Sequence, residues 1–95
     1  MTFAKPGRNY LVDWSDEMDD HSDPDFRHCR IKKLDGARLI RTFTGKVPRF
    51  QSTRKQVKHR IVRWCELNPA RLPRDGGAVV LDLDHVWEAQ SDLGR

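Results

Sequence analysis

Residues able to do chemistry crowd the middle of this 95-residue chain, and most of them are cations. Residues 26–74 carry fifteen Lys or Arg against two acids, Asp35 and Glu66. Residues 1–25 carry seven acids against two cations, and residues 75–95 five acids against one. The net charge of +4 therefore hides a centre of +13 between two acidic ends. That density exceeds what solubility asks of a small domain. It suits the phosphate backbone of DNA or RNA, where charge supplies most of the non-specific affinity. The candidate contacts are Arg30, Lys32, Arg41 and Lys46, followed by Arg54, Lys55, Lys58, His59 and Arg63. His28, Phe43 and Phe50 are candidates for stacking on bases.

Other chemistries find less support. His28, Cys29, His59 and Cys65 are zinc-type ligands, but no CxxC or HxxxH pair sets them at ligand spacing. The run "DDHSDPD" has the carboxylates of a calcium loop without its central glycine or closing glutamate. "TGK" (44–46) lacks the rest of a phosphate loop, and no nucleophile elbow or paired Cys–His motif occurs. His59 beside Arg60 and Arg63 would suit a nuclease, but a histidine on a basic helix more commonly makes a contact. "YLVDW" (10–14) has the aromatic pair of a methyl-cation cage, yet alternation on one strand face is the pattern of a core. The expectation is a non-enzymatic protein without metal or cofactor.

The elements that must position these residues follow from periodicity. "NYLVDW" (9–14) alternates as a short strand with Tyr10, Val12 and Trp14 on one face. Residues 15–25 are acidic, proline-containing and aperiodic, the composition of a mobile loop. Residues 26–44 predict a β-hairpin around Asp35-Gly36, the residue pair of a type I′ turn. That turn sets Ile31 opposite Ile40, Lys33 opposite Arg38 and Arg30 opposite Arg41. Cys29, Ile31, Ile40 and Thr42 then face the core. His28, Arg30, Lys32, Leu39, Arg41 and Phe43 face outward, with two like-charge pairs directly opposed, a destabilising arrangement unless an anion answers it.

Thr53 and Gln56 form a T-x-x-Q capping box, so a helix is expected from 53 to near Asn68, where Pro69 stops it. Val57, Ile61 and Trp64 make its apolar stripe, flanked by Cys65 and Leu67. Arg54 and Lys55 fall in its first turn, where the macrodipole disfavours cations and a phosphate is at home. "AVVLDLD" (78–84) is the late strand, an edge able to pair between two copies. Asp84 is placed to cap a short C-terminal helix over 85–93.

The predicted fold is a small single α+β domain. Its sheet is mainly antiparallel, built from the N-terminal strand, the hairpin and the late strand, with one central amphipathic helix and a short C-terminal helix. Residues 61–87, "IVRWCELNPARLPRDGGAVVLDLDHVW", run through helix, proline loop, glycine turn, strand and Asp-started helix. This order is similar to the recognition helix and wing of excisionase-type winged helices, and implies a winged-helix arrangement as the alternative. A hairpin, not a first helix, precedes the segment, so the likeness is one of topology.

The N-terminus has no apolar signal-peptide core, and no stretch is long and apolar enough for a membrane helix. Two cysteines are fewer than a secreted scaffold of this size would hold. The expected setting is cytoplasmic, with both thiols reduced and no membrane partner. The favoured function is nucleic-acid binding through the phosphate backbone. The alternative is a small inhibitor or adaptor, of mobile-element or phage type, docking its basic centre on an acidic protein surface. Gripping requires the hairpin and helix cations to share one surface; cations pointing to opposite sides describe a solvated basic exterior.

Overall fold

A computed structural model describes residues 9–84. In chain order the elements are strands β1 (Tyr10–Asp13), β2 (Phe26–Asp35) and β3 (Arg38–Pro48), helices α1 (Arg49–Ser52) and α2 (Val57–Leu67), a 3-10 turn (Pro69–Arg71) and strand β4 (Ala78–Val80). The strands form one mixed sheet in the order β1-β2-β3-β4. β1 and β3 run antiparallel to β2, and β4 runs parallel to β3. This is a small α+β fold. The segment after α2 thus rejoins the sheet as a parallel edge strand, whereas a wing is an antiparallel hairpin. The helix expected over 85–93 lies outside the described residues.

The hairpin forms where expected, but its register differs. Asp35 pairs with Arg38 and Leu34 with Leu39, which puts Gly36 and Ala37 in the turn. Gly36 has φ 63, while Ala37 stays out of the left-handed region. This is a Gly-first turn, which spares Asp35 the positive φ that a type I′ turn on Asp35-Gly36 would demand. A bulge beyond Leu34 then shifts the ladder once more, so Lys33 faces Arg41, Ile31 faces Phe43 and Arg30 faces Thr44. Beyond the bulge the total slip is odd, and the β3 side chains from Arg41 onward change face relative to the expectation. Phe43 and Val47 become fully buried, and Ile40 becomes exposed. Burying Phe43 and Val47 in place of Ile40 and Thr42 removes more apolar surface from water, which favours this register.

Gly45 is what lets the two layers close. A Cβ there would lie 2.7 Å from Ile31 Cδ1, 2.9 Å from Leu81 Cδ1 and 3.0 Å from Cys29 Sγ. The core gathers Tyr10, Cys29, Ile31, Phe43 and Val47 from the sheet, Val57, Ile61, Trp64 and Cys65 from α2, and Leu81 and Leu83 beyond β4. The stripe Val57, Ile61 and Trp64 is buried as expected, and Tyr10, Val12 and Trp14 serve the core as read. The late strand is shorter than expected and ends at Val80.

The helix differs at its start. Residues 49–52 form the separate turn α1, and Gln56 takes the left-handed conformation (φ 62) immediately before α2. No capping box forms: the Thr53 hydroxyl donates instead to Phe50 O. Two anchors hold α1 apart from α2. Arg49 is tied to the acidic loop, and the buried Gln51 accepts a hydrogen bond from Leu83 N–H. Arg54 and Lys55 accordingly lie in the linking turn and not in a first helical turn. The predicted end near Asn68 holds, with Asn68 N–H bonded to Trp64 O.

Cys29 and Cys65 are free and buried. Burial pushes both thiols up to about 12, far from the range of a reactive thiolate. Neither is expected to react with an aromatic disulfide reagent at pH 8 in the folded protein. Both should titrate once urea unfolds it, and stoichiometric labelling without denaturant would contradict this packing.

Candidate nucleic-acid interface

One sheet face carries α2; the other is bare among the described residues. Strand alternation sorts the side chains between them. Cys29, Ile31, Phe43, Gly45 and Val47 face α2. The bare face presents the cross-strand rows Leu11–Lys32–Thr42, Asp13–Arg30–Thr44 and His28–Lys46. Arg30 and Lys32 are exposed and Lys46 is half-buried. Asp13, directly opposite Arg30, is the carboxylate in these rows.

The nine candidate contacts therefore divide. Arg30, Lys32 and Lys46 share the bare face. Arg41 turns to the α2 side, where its Nη1 donates to Pro73 O at 3.0 Å. Arg54 is ion-paired with Asp84, and Arg63 with Glu66 at 3.3 Å. Lys55, Lys58 and His59 are exposed on the helical layer. Apart from Lys32 and Lys58, which line one groove at the β1 edge, hairpin and helix cations do not converge on one surface, and Lys55 and His59 form a solvated exterior. Neither like-charge pair expected across the hairpin forms; the register sets a different one, Lys33 opposite Arg41. Arg30 gains Asp13 and Thr44 as cross-strand neighbours, which relieves the repulsion.

The stacking candidates also separate. Phe43 is in the core, and Phe50 is exposed on α1. His28 Nε2 lies 2.8 Å from Asp23 Oδ2. What the bare face offers is charge and hydroxyls, from Thr42 and Thr44, both suited to phosphate oxygens. The two threonines were legible in "RTFTGKV" (41–47), where polar and apolar residues alternate; the turn-based register masked them.

The acidic loop between β1 and β2 bounds this face. β1 ends at Asp13, so the ladder leaves His28 N–H without a strand partner. Asp19 Oδ1 takes that N–H at 3.0 Å. The same carboxylate meets both Arg49 Nη atoms, at 3.2 and 3.3 Å, and its side chain is 1% exposed. Arg49 also donates to Asp23 O and Asp20 O. Arg27 adds a bridge to Asp16 and stacks 4.7 Å over the Trp14 ring. Burial opposes ionisation of Asp19, but the His28 amide and the Arg49 and Arg27 charges outweigh it and hold its carboxyl below the usual range. The hydrogen bond to His28 does the same for Asp23.

Among the described residues no three His, Cys, Asp or Glu converge as a metal site, and no helix is long and apolar enough to cross a membrane. Comparison with known proteins returned no matching family model, no matching curated protein and no matching solved structure.

Proposed function

We propose that this protein binds nucleic acid without catalysis, gripping the phosphate backbone with the bare face of its sheet. The observation that carries the reading is a contrast among the cations. Arg27, Arg49, Arg54 and Arg63 each have a carboxylate partner, and Arg41 a carbonyl. Arg30, Lys32 and Lys46 stand on neighbouring rungs of an uncovered face with no ion pair among the described residues. Lys55 and Lys58 are likewise without an ion pair among the described residues but lie on the helical layer, whereas Arg30, Lys32 and Lys46 share one sheet face, which supports the reading. Arg30 and Lys32 are two residues apart on one rigid strand, so no loop ordering is needed for them to act together.

The test is a titration of Arg30→Glu with Lys32→Glu, against duplex DNA, single-stranded DNA and RNA at two salt concentrations. Wild type should weaken on duplex DNA with a log–log slope of about −0.9 per phosphate neutralised. The double variant should bind more weakly and lose about 2 from that slope. Lys55→Glu with His59→Glu should bind as wild type does. If the helix pair abolishes binding and the sheet pair does not, the sheet face is the wrong surface.

The second reading, a small inhibitor or adaptor docking on an acidic protein, draws on Leu11 and Val80. They are 55% and 46% exposed at the two edges of the same face, and apolar contacts of that kind suit a protein partner better than a phosphate backbone. Absence of binding to any of the three nucleic acids at low salt would favour it.

A further inference from the structure

The outer edge of β1 is unpaired among the described residues. Leu34 N–H donates to Asn9 O at 2.7 Å, which sets the phase of the β1–β2 ladder. With Tyr10 opposite Lys33 and Val12 opposite Ile31, the N–H and C=O groups of Tyr10 and Val12 point away from β2. No strand pairs with that side among the described residues. Beside it runs an open groove of about 390 Å³. Leu11, Val12 and Trp14 form its apolar wall, with Lys32 and Lys58 on its rim. Asp13 also lines it, and lies across from Arg30.

We propose that this edge takes an extended acidic peptide from a partner protein, which adds a strand to the sheet at β1. Tyr10 and Val12 supply the main-chain hydrogen bonds of strand addition. An added strand sends alternate side chains to opposite faces, so its carboxylates would reach Lys32 on one side and Lys58 on the other. A second copy of this chain fits less well, because pairing β1 with β1 brings the Lys32 and Lys58 of both copies together. The inference is independent of nucleic-acid binding except that Lys32 serves both surfaces, so the test turns on Val12 and Lys58.

The experiment is an amide NMR titration of the full chain with a short synthetic peptide of alternating Glu and Val. Saturable shifts are expected at Tyr10 to Ser15 and at Lys58. Lys58→Glu, an exposed substitution, should weaken binding by about tenfold. Val12→Pro removes an outward N–H that takes no part in the β1–β2 ladder, a position where proline is tolerated, and should abolish binding while the remaining amide spectrum stays folded. The proposal is overturned if the β1 amides do not move, or if a Lys-Val peptide binds equally well. It is also overturned if Lys58→Glu binds as tightly as wild type. Concentration-dependent β1 shifts without peptide would give the edge to a second copy instead. A duplex oligonucleotide that moves the same amides and displaces the peptide would assign it to nucleic acid.

Discussion

Trp64→Ala is expected to lower the unfolding free energy by about 4 kcal/mol, the largest effect of any single truncation among the described residues. Trp64 is the largest of the fully buried side chains and joins α2 to the sheet through the core. Arg71 from the 3-10 turn lies 5.1 Å from its ring centroid, so the loop after α2 packs on it as well. Removing the indole leaves a cavity between two layers that meet through few large side chains. A domain of this size holds roughly 5–15 kcal/mol in all, so the variant would sit close to the edge of folding. Urea denaturation followed by circular dichroism reads the change directly. Trp64→Phe separates volume from polarity. Trp64 Nε1 is buried with no hydrogen-bond partner among the described residues, so phenylalanine loses contacts but also sheds an unsatisfied donor. Its cost should be about 1–2 kcal/mol. If alanine costs no more than phenylalanine, Trp64 does not hold the layers together.

Asp19→Ala is expected to cost about 2–3 kcal/mol, although the residue lies in a loop and local sequence marks it as one acid among many. Its carboxylate answers His28 N–H and both Arg49 Nη atoms. Truncation strands these donors. Breaking a fully buried charge pair costs about 3–5 kcal/mol; the lower figure applies because Arg49 is 34% exposed and water can reach it. The pH dependence follows from the same geometry. The folded-state pKa of Asp19 lies below its ordinary 3.8. Its contribution is therefore complete above that value and is lost as pH falls through the folded pKa. Wild type should lose stability on acidification below about pH 4, and Asp19→Asn should flatten that limb. An Asp19→Asn variant whose stability falls as steeply with acid as wild type would mean that the loop contributes nothing through this carboxylate.

Legibility in the sequence tracked the range of the interactions involved. The Val57–Ile61–Trp64 stripe, the stop before Pro69 and the alternation of Tyr10, Val12 and Trp14 are local patterns that need no knowledge of the rest of the chain. The hairpin was legible as a hairpin, but its register was not. Asp35-Gly36 and Gly36-Ala37 are both workable turns that set the same faces; the bulge beyond Leu34 decides that Phe43 and Val47, and not Ile40 and Thr42, meet the helix. The start of the helix failed for a similar reason. Thr53 and Gln56 satisfy a local capping rule, but Arg49 and Gln51 are held by Asp19 and Leu83, residues some thirty positions away. The candidate contacts were right in charge and divided in space, since Arg41 changed face with the register and Arg54 and Arg63 found carboxylates.

By itself, the sequence determined that a strongly basic centre lies between acidic ends, that one amphipathic helix has an apolar stripe, and that strands flank it. Charge and short-range period are properties of composition and spacing, and no fold can alter them. Tertiary structure alone decided which cations are committed. Asp19 stands in for a missing strand partner and recruits Arg49, the odd slip of β3 turns Thr42, Thr44 and Lys46 outward with Arg30 and Lys32, and α2 takes the opposite face. Those outcomes depend on which groups are left without a partner once the core is packed, because an unpaired buried donor costs more than any surface charge gains.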